Sequence, residues 1–185
     1  DFVIQNAGNS AVGLAVAQFA KKIGVTLVSL VRSEERRTEL IDFGAGEVWI
    51  DDDEVPERAK EFTHGKGCAL GLNSVGGRSA LRIARSLGEG GVHVTFGAMD
   101  GSPVRFPTRS LIFDDIRFVG FWLDKWKRKQ SPASLRNALE EVLQPLALTE
   151  ISHPVDKVFG LHEFEQALTR NAESRMGKDL LARDK

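Results

Sequence analysis

A short turn between Asn6 and Gly13 has the composition of a phosphate-binding loop. It follows the apolar run Phe2-Val3-Ile4 and leads directly into a stretch with helical periodicity. Its glycines and serine form a G-x-S-x-x-G pattern, in which Ser10 stands where a second glycine normally lets a pyrophosphate approach the backbone. Amides at a helix N-terminus, together with the helix dipole, attract anionic phosphate. We therefore predict that a dinucleotide pyrophosphate binds here; the alternative is a tight turn whose small residues serve only helix–sheet packing.

The residues after the second apolar run bear on which dinucleotide would bind. Sites selective for NAD carry an acidic residue at the end of this strand, where it accepts hydrogen bonds from the ribose hydroxyls. Arg32 and Ser33 stand there instead, and a guanidinium would pair with the 2′-phosphate of NADP. Glu34 and Glu35 follow, as ordinary partners of a helix dipole. The pattern favours NADP over NAD, whereas the alternative is that Arg32 is only a surface arginine.

Two further breaks in the apolar runs fall at predicted strand ends. The first covers Asn73 to Gly77 and the second covers Phe96 to Met99. The carboxyl ends of parallel strands meet at one edge of the sheet, where ligands of doubly wound folds bind. We expect the nicotinamide ribose and ring to pass along these breaks, although glycines that simply turn the chain would leave the same pattern.

The other reactive residues indicate no second site. Cys68 is the only cysteine, which excludes an internal disulfide and a cysteine-rich zinc site. The four histidines lack metal-ligand spacing, and His93, inside an apolar strand, is interpreted as a structural residue. The acidic run Asp51 to Glu54 is interpreted as a solvated loop rather than a metal site. We therefore expect no metal, and the sequence also contains no tyrosine.

The elements that would position these residues alternate between apolar β-type runs and helical patterns. Val12, Val16, Phe19 and Ile23 recur at helical spacing, which predicts that they share one helix face. Val25 to Val31 is almost wholly apolar, as expected of a parallel strand buried on both faces. The alternation predicts an α/β fold with a doubly wound parallel sheet, the Rossmann fold. The other predicted elements in this part are strands at 48–50, 69–72, 92–96 and 116–121, a helix ending at Gly44, and helices at 79–87 and from Ser131 onward.

The pattern changes after about residue 150. A strand-like stretch at 153–158, a helix around 164–168 and a terminal strand at Leu180-Leu181 no longer follow the alternation. We expect residues 1–150 to form an NADP-binding Rossmann domain and residues 151–185 to form a C-terminal tail that belongs to a different layer or packs on a missing domain. The chain also begins inside an apolar run without an initiator methionine, so we expect it to be a piece of a longer polypeptide.

The composition argues against several other classes of protein. Among 185 residues, 25 basic and 26 acidic side chains leave a net charge of −1, which disfavours nucleic-acid or membrane binding by bulk electrostatics. A single cysteine and the lack of a targeting signal favour an intracellular setting, the cytoplasm of a bacterium or the mitochondrial matrix of a eukaryote. The basic and aromatic segment Trp122 to Lys129 is interpreted as a solvated helix start. Binding of single-stranded nucleic acid is a weaker alternative.

Three segments together carry a family resemblance. QNAGNSAVG (5–13), LNSVGG (72–77) and GFWLDKW (120–126) resemble the medium-chain dehydrogenase/reductase superfamily, and within it the zinc-free, NADPH-dependent 2-enoyl thioester reductases of fatty acid metabolism. The resemblance covers essentially the whole chain. One position departs from the family pattern, because the second basic residue of the 2′-phosphate motif falls on Glu34. This departure weakens the assignment of NADP unless Arg36 or Arg37 substitutes. With Asn73 from its strand end, the expected cofactor-binding residues are Asn9, Ser10, Ala11, Val12, Arg32, Ser33, Asn73, Phe96, Gly97, Ala98, Met99, Phe121, Trp122, Leu123 and Lys178.

The resemblance also implies an activity for the intact protein. It implies hydride transfer from NADPH to the β-carbon of a 2-enoyl thioester, on CoA or on an acyl-carrier protein, with protonation at the α-carbon. The catalytic tyrosine of this family lies in an N-terminal domain that precedes the segment, so the resemblance implies that residues 151–185 pack on that absent catalytic domain. We therefore expect no catalytic residue in this chain and no activity from it alone. Contact of the segment Trp122 to Lys129 with an acyl-carrier or CoA phosphate is then the alternative to a solvated helix start. A quinone oxidoreductase-like enzyme of the same superfamily is the main rival, and a non-catalytic NADPH-binding sensor or structural protein is another. A zinc alcohol dehydrogenase is disfavoured by the lack of a cysteine cluster in this segment, and it stays an alternative in which the catalytic zinc ligands lie upstream. The family commonly forms homodimers through an edge strand, here 116–121.

Overall fold

A parallel sheet forms the centre of the molecule in the computed structural model, which describes residues 1–173 and 176–183. Its strands are β1 (Phe2–Gln5), β2 (Thr26–Val31), β3 (Glu47–Ile50), β4 (Cys68–Asn73), β5 (Leu87–Thr95) and β6 (Arg117–Gly120). They pair in the order β3-β2-β1-β4-β5-β6, all in parallel. The order reverses between β1 and β4, which is the topological switch point of a doubly wound sheet. The predicted fold class is thereby confirmed.

Helices separate the strands along the chain. They are α1 (Ala11–Lys22), α2 (Glu34–Asp42), α3 (Val55–Phe62), α4 (Gly77–Arg85), α5 (Thr108–Phe113), α6 (Leu123–Arg128), α7 (Pro132–Ala147) and α8 (Phe164–Ala172). Ser131 caps α7 as its sequence predicts, because its hydroxyl accepts a hydrogen bond from the Ser134 amide. Helices α3 and α5 were not predicted; in α3 only Val55 and Ala59 are buried, so its apolar pattern is too sparse to recognise.

The boundary between α4 and β5 differs from its prediction. The helix ends at Arg85 and the strand already begins at Leu87, whereas the sequence pattern predicted a helix to residue 87 and a strand from residue 92. Leu87 pairs with Cys68 of β4, and the Cys68 amide donates to the Ser86 carbonyl at 2.9 Å. Pairing with a strand that is distant in sequence therefore extends β5 through a glycine-rich stretch that has weak strand propensity of its own.

The predicted apolar residues of α1 do share one face of the helix, but this face is not the one that is buried most deeply against the sheet. Leu14, Ala17 and Ala20 are buried in the core, whereas Val12 and Ile23 are 51% and 71% exposed. Small side chains let the helix approach the strands closely, so the larger apolar residues flank the contact instead of making it. The predicted stripe lines an open apolar groove of about 580 Å³, beside Val3, Leu70 and Leu72 of the neighbouring strands.

The C-terminal tail forms a second, two-stranded parallel sheet. Strands β7 (Val155–Gly160) and β8 (Lys178–Ala182) pair with each other, and α8 lies between them in the chain. The Gln18 amide of α1 holds the start of this tail, since it donates to the Ser152 carbonyl at 2.9 Å and accepts from the Ser152 amide at 2.8 Å. Met176 packs against the core cluster around Leu14. In the described part of the chain, no helix is long and apolar enough to cross a membrane.

His93 on β5 is fully buried, as a structural histidine should be. Its Nε2 lies 3.2 Å from the Ala80 carbonyl oxygen, and its Nδ1 lies 3.4 Å from the Thr95 hydroxyl. Burial lowers the pKa of the ring, because desolvation disfavours the charged imidazolium. The native state therefore holds His93 as the neutral ring.

We expect this histidine to make the free energy of unfolding depend on pH. The unfolded chain takes up a proton on His93 near pH ~6.5, while the native ring resists it. The stability from the neutral ring is thus complete above about pH 6.5 and is lost as the pH falls below that value. Urea unfolding at pH ~7.5 and pH ~5.5 measures the difference. His93→Gln, whose amide can still donate to Ala80, should show a smaller difference, and an equal difference in both proteins would contradict this assignment.

Candidate cofactor site

The turn after β1 is shaped to present backbone amides. Ala7 adopts a positive φ of 49°, and the Gly8 amide donates to the Leu30 carbonyl of β2 at 2.9 Å. Ser10 is the N-cap of α1, and its hydroxyl accepts from the Gly13 amide at 3.0 Å. The amides of the first helical turn have no intrahelical acceptor, and they are the donors that a phosphate requires.

Gly13 allows the helix to lie directly on this turn. A Cβ added at Gly13 would lie 2.5 Å from the Gly8 carbonyl oxygen and 2.6 Å from that of Ala7. Real Cβ atoms do not approach backbone oxygens so closely, so only glycine fits. The last glycine of the pattern therefore brings the helix N-terminus against the turn, which is the arrangement that dinucleotide-binding folds use.

A cleft of about 550 Å³ opens at the carboxyl ends of the strands. It lies over the switch point between β1 and β4, where ligands of doubly wound sheets bind. Several predicted site residues from distant parts of the sequence line it together, and they are Asn9, Ser10, Ala11, Arg32, Met99 and Lys178.

Arg32 provides this cleft with a cation that has no partner among the residues that the structure describes. Its side chain is exposed, and among the described residues it forms no hydrogen bond or ion pair. Ser33 beside it is the N-cap of α2, with its hydroxyl accepting from the Arg36 amide. An unpaired guanidinium in a cleft that begins at a helix N-terminus is suited to a phosphate group.

Arg36 and Arg37, the possible substitutes for the basic residue that is missing at Glu34, form contacts within the protein. Arg36 is buried and pairs with Glu35 and Glu39. Arg37 donates to the Val48 carbonyl at 3.1 Å and to the Glu34 carboxylate at 3.2 Å. Neither is free to bind an anion in the cleft. Arg37 does, however, neutralise Glu34, so this acidic residue opposes Arg32 less than the sequence indicates.

Asn73 lies at the predicted strand end, but its side chain is turned into the protein. It is fully buried, and its Oδ1 accepts from the amides of Val75 and Gly76 at 3.2 and 3.0 Å. Its Nδ2 donates to the Thr95 hydroxyl at 3.1 Å. The amide is committed to holding the turn that follows β4. We therefore assign Asn73 to the scaffold of the site rather than to direct contact with a ligand.

The segment Phe96 to Met99 pairs with the turn that follows β4. The Met99 amide donates to the Ser74 carbonyl at 3.2 Å, and a Cβ added at Gly97 would lie 2.7 Å from that same oxygen. The close approach explains the glycine. Met99 reaches the cleft and is 72% exposed, while Phe96, Gly97 and Ala98 do not line it.

The remaining predicted contacts lie outside the cleft. Val12 lines the apolar groove instead, and Ser33 faces its own helix. Phe121, Trp122 and Leu123 are 44%, 63% and 55% exposed and follow β6. The Phe121 amide donates to the Thr95 carbonyl at 2.8 Å, which ties this segment to the end of β5. Contact of these residues with a nicotinamide ring stays a prediction.

The structure adds acidic and tail residues that the sequence reading missed. Asp51 was interpreted as part of a solvated loop, but its side chain is only 11% exposed, and it lines the cleft at the end of β3. Its place directly after an apolar strand was the signal that should have identified it. Asp100 lines the cleft as well. The tail supplies Asn171, Glu173 and Gly177 besides Lys178, and nothing in their local sequence indicated this.

The acidic run is also more ordered than a solvated loop. Arg82 of α4 donates to Asp51 and to Asp53, at 3.0 and 2.9 Å. The hydrogen bond from Arg82 lowers the pKa of Asp53, although this carboxylate is exposed. The run therefore joins β3 to α4 through ion pairs.

The fold and the cleft define a class of protein, the Rossmann-type nucleotide-binding domains, in which a helix N-terminus meets the ligand at the switch point of a parallel sheet. Residues 11–144 match the model of the zinc-binding dehydrogenase family, and the chain belongs to that family. The match confirms the resemblance to the medium-chain dehydrogenase/reductase superfamily.

Known proteins extend this likeness. A mitochondrial enoyl-[acyl-carrier-protein] reductase of Caenorhabditis elegans is 42% identical over 147 residues, covering 77% of this chain and 42% of that protein. The enoyl thioester reductase Etr1p of Candida tropicalis, in a complex with NADP and crotonyl-CoA, has a TM-score of 0.83 at 26% identity, covering 98% of this chain and 54% of that one. A mycobacterial quinone oxidoreductase has a TM-score of 0.84 at 25% identity, covering 98% and 56%. The chain thus spans about half the length of the proteins it matches.

The family description names zinc, and the described residues do not fit it. Within residues 1–173 and 176–183, no three His, Cys, Asp or Glu side chains are grouped to hold a metal ion. Cys68 is 1% exposed, and burial raises the pKa of its thiol to about 12, so it is not a thiolate ligand. The described residues therefore supply no zinc site.

Proposed function

We propose that this chain is the NADPH-binding domain of an oxidoreductase that transfers hydride to a 2-enoyl thioester. The observation that carries the proposal is the unpaired Arg32 in a cleft that begins at the N-terminus of α1. The 42% identity to a protein named enoyl-[acyl-carrier-protein] reductase supports the substrate class.

The residues of the cleft divide the work of binding. The first-turn amides of α1, with Asn9 and Ser10, would hold the pyrophosphate, and Arg32 would pair with the 2′-phosphate. Lys178 of the tail lines the same cleft and would add a second cation. The bound nicotinamide supplies the hydride, and this chain's residues orient it. These residues contribute to the rate by positioning the cofactor. In well-oriented reactions such positioning lowers the activation free energy by up to about 7–11 kcal/mol.

The proton donor would come from another part of the intact protein. The chain contains no tyrosine. We propose that residues 1–150 form the cofactor-binding domain, and that residues 151–185 form a tail that contacts a separate catalytic domain while Lys178 also reaches the cofactor cleft. The open apolar groove beside α1 supports this arrangement, because exposed apolar surface of this kind normally has a partner. In this scheme the chain alone binds NADPH and does not turn over.

A quinone oxidoreductase-like activity is the second candidate, favoured by the TM-score of 0.84 to the mycobacterial enzyme. A non-catalytic NADPH-binding sensor or structural protein is the alternative from another class. These three functions share the cofactor site and differ in what meets the nicotinamide.

Substrate assays on the longer polypeptide that carries this chain separate the candidates. We expect NADPH-dependent reduction of crotonyl-CoA, followed as loss of NADPH absorbance, and no reduction of a simple quinone. Reduction of the quinone without the thioester would select the second candidate instead. Tight NADPH binding with no turnover of either substrate would select the sensor.

Partner and compartment follow from the same proposal. Strand β6 is an edge of the sheet, and Val119 on it is 47% exposed, which supports a homodimer formed by pairing β6 with its copy. Lys125 in α6 and Lys129 at its C-cap would favour a carrier-bound or CoA-bound thioester by binding its phosphates. We propose the mitochondrial matrix if the source is a eukaryote, as the name of the relative from C. elegans supports, and the cytoplasm if it is a bacterium.

A further inference from the structure

The amide of Asn6 lies at the meeting point of three elements beneath the cleft. It is 3% exposed and comes directly before the phosphate-binding turn. Its Nδ2 donates to Asn73 Oδ1 at 2.8 Å and to the Ser79 hydroxyl at 3.0 Å, while its Oδ1 accepts from the Ser74 amide at 2.8 Å. One side chain thus connects the end of β1 with the end of β4 and with α4.

The hydrogen bonds continue from Asn6 in both directions across the sheet. On one side the Ser79 hydroxyl donates to Asp51 Oδ2 at 2.5 Å, at the end of β3. On the other side Asn73 Nδ2 donates to the Thr95 hydroxyl at 3.1 Å, at the end of β5. We call Asn6, Asp51, Asn73, Ser79 and Thr95 the Asn6 network. It runs under four strand ends, and its central members Asn6, Asn73 and Ser79 are at most 7% exposed.

The Asn6 network supports the two halves of the cleft unequally. The phosphate-binding turn is held by its own contacts, such as the Gly8 amide to the Leu30 carbonyl and the Ser10 cap. The turn after β4 depends on the network, because Asn73 Oδ1 accepts the Gly76 amide and Asn6 Oδ1 accepts the Ser74 amide. Met99 in turn donates to the Ser74 carbonyl, so the segment after β5 rests on the same support.

We propose that Asn6 is a positioning residue that sets the nicotinamide side of the cleft relative to the phosphate-binding turn. The proposal rests on the proposed function as an NADPH-binding domain. Asn6 touches no ligand in this scheme; it acts through Ser74 and Asn73. Loss of its donor atoms should therefore weaken binding of the whole dinucleotide and spare a ligand that occupies only the adenosine side.

The test compares NADPH with 2′,5′-ADP in the variant Asn6→Asp. This variant keeps the shape and the acceptor for the Ser74 amide, but it sets a carboxylate oxygen against the Asn73 acceptor. At pH ~8 we expect NADPH to bind roughly tenfold more weakly, with 2′,5′-ADP affinity within about twofold of the wild type. Because both ligands carry the 2′-phosphate, the ratio of their dissociation constants cancels the titration of that group.

A pH arm separates positioning from general damage to the fold. Protonation of the introduced carboxyl restores a donor toward Asn73, so the affinity ratio should recover when the pH is lowered to ~6. Asn137→Asp, the same exchange at an exposed position of α7, should change neither affinity. Ser79→Ala, which removes one partner without adding charge, serves as a second variant if Asn6→Asp does not fold, and it should shift the ratio in the same direction.

Different outcomes would contradict the positioning role of Asn6 and the proposed NADPH-binding function. An unchanged ratio in folded Asn6→Asp or Ser79→Ala, or an equal loss for both ligands without recovery at low pH, would overturn the positioning role. If the wild type binds neither ligand, it is the proposed function that fails.

Discussion

Replacing Arg32 with alanine is expected to weaken NADPH binding by about 1–3 kcal/mol, roughly 5- to 150-fold, and to leave NADH binding nearly unchanged. The guanidinium has no partner among the described residues, so its removal breaks no internal contact and its whole effect falls on the ligand. Only NADPH carries the 2′-phosphate that this cation would pair with. Calorimetric titration of the chain with each nucleotide measures both affinities.

Two further results give this prediction its control and its limit. Arg136→Ala removes an arginine from an exposed position on α7 and should alter neither affinity. An Arg32→Ala protein that loses NADH and NADPH equally, or a wild type that prefers NADH, would mean that the 2′-phosphate is not bound at this position. The preference would also fall with added salt, because an exposed ion pair is screened.

Replacing Gly13 with alanine is expected to cost about 1–3 kcal/mol in the free energy of unfolding and to lower NADPH affinity at least roughly tenfold. The new methyl would meet backbone oxygens of Ala7 and Gly8 at 2.6 and 2.5 Å, and backbone atoms yield less easily than a flexible side chain. Helix α1 and the phosphate-binding turn must therefore separate. Thermal unfolding and the NADPH titration together measure the change.

Gly120→Ala supplies the matched control for this glycine. A Cβ added at Gly120 meets no atom within 4 Å, so the same exchange there should change stability little. A Gly13→Ala protein with wild-type stability and wild-type affinity would show that the turn can relax and that its close packing is not needed for binding. A loss of stability without a loss of affinity would assign Gly13 to the fold alone.

Local patterns were enough to predict most of the elements and the turn between Asn6 and Gly13, whereas α3, α5 and the start of β5 were missed. The chain's apolar runs and its G-x-S-x-x-G sequence act over ten or so neighbouring residues, and backbone conformation at a helix start is determined at that range. The start of α1 directly after the turn and the position of Arg32 directly after β2 are therefore predictable without coordinates. The same reading placed the edge strand within one residue, at 116–121 against Arg117–Gly120.

Contacts between distant residues were beyond that reading. Asn6 forms hydrogen bonds with Asn73 and Ser79, which are 67 and 73 positions away in the sequence. A periodic pattern of neighbouring residues does not indicate which distant residue will be the hydrogen-bond partner. The same holds for the stripe of α1 that is buried, since Val12 and Leu14 are equally apolar and only the approach of the sheet distinguishes them. The position of Lys178 at the cofactor cleft was predicted from a family resemblance, whereas that of Glu173, which also lines the cleft, was not predicted.

The sequence by itself thus determined a Rossmann-type domain, and it predicted a turn for phosphate and a cation for a 2′-phosphate, because those features depend on residue types at short spacing. Only the tertiary structure decided which of the candidate residues share one cleft. It turned Asn73 inward, brought Asp51 and the tail to the cleft, and engaged Arg36 and Arg37 elsewhere. The physical reason is that a buried polar group must form hydrogen bonds, and its partners are the groups that the fold brings next to it, which can lie far away in the sequence.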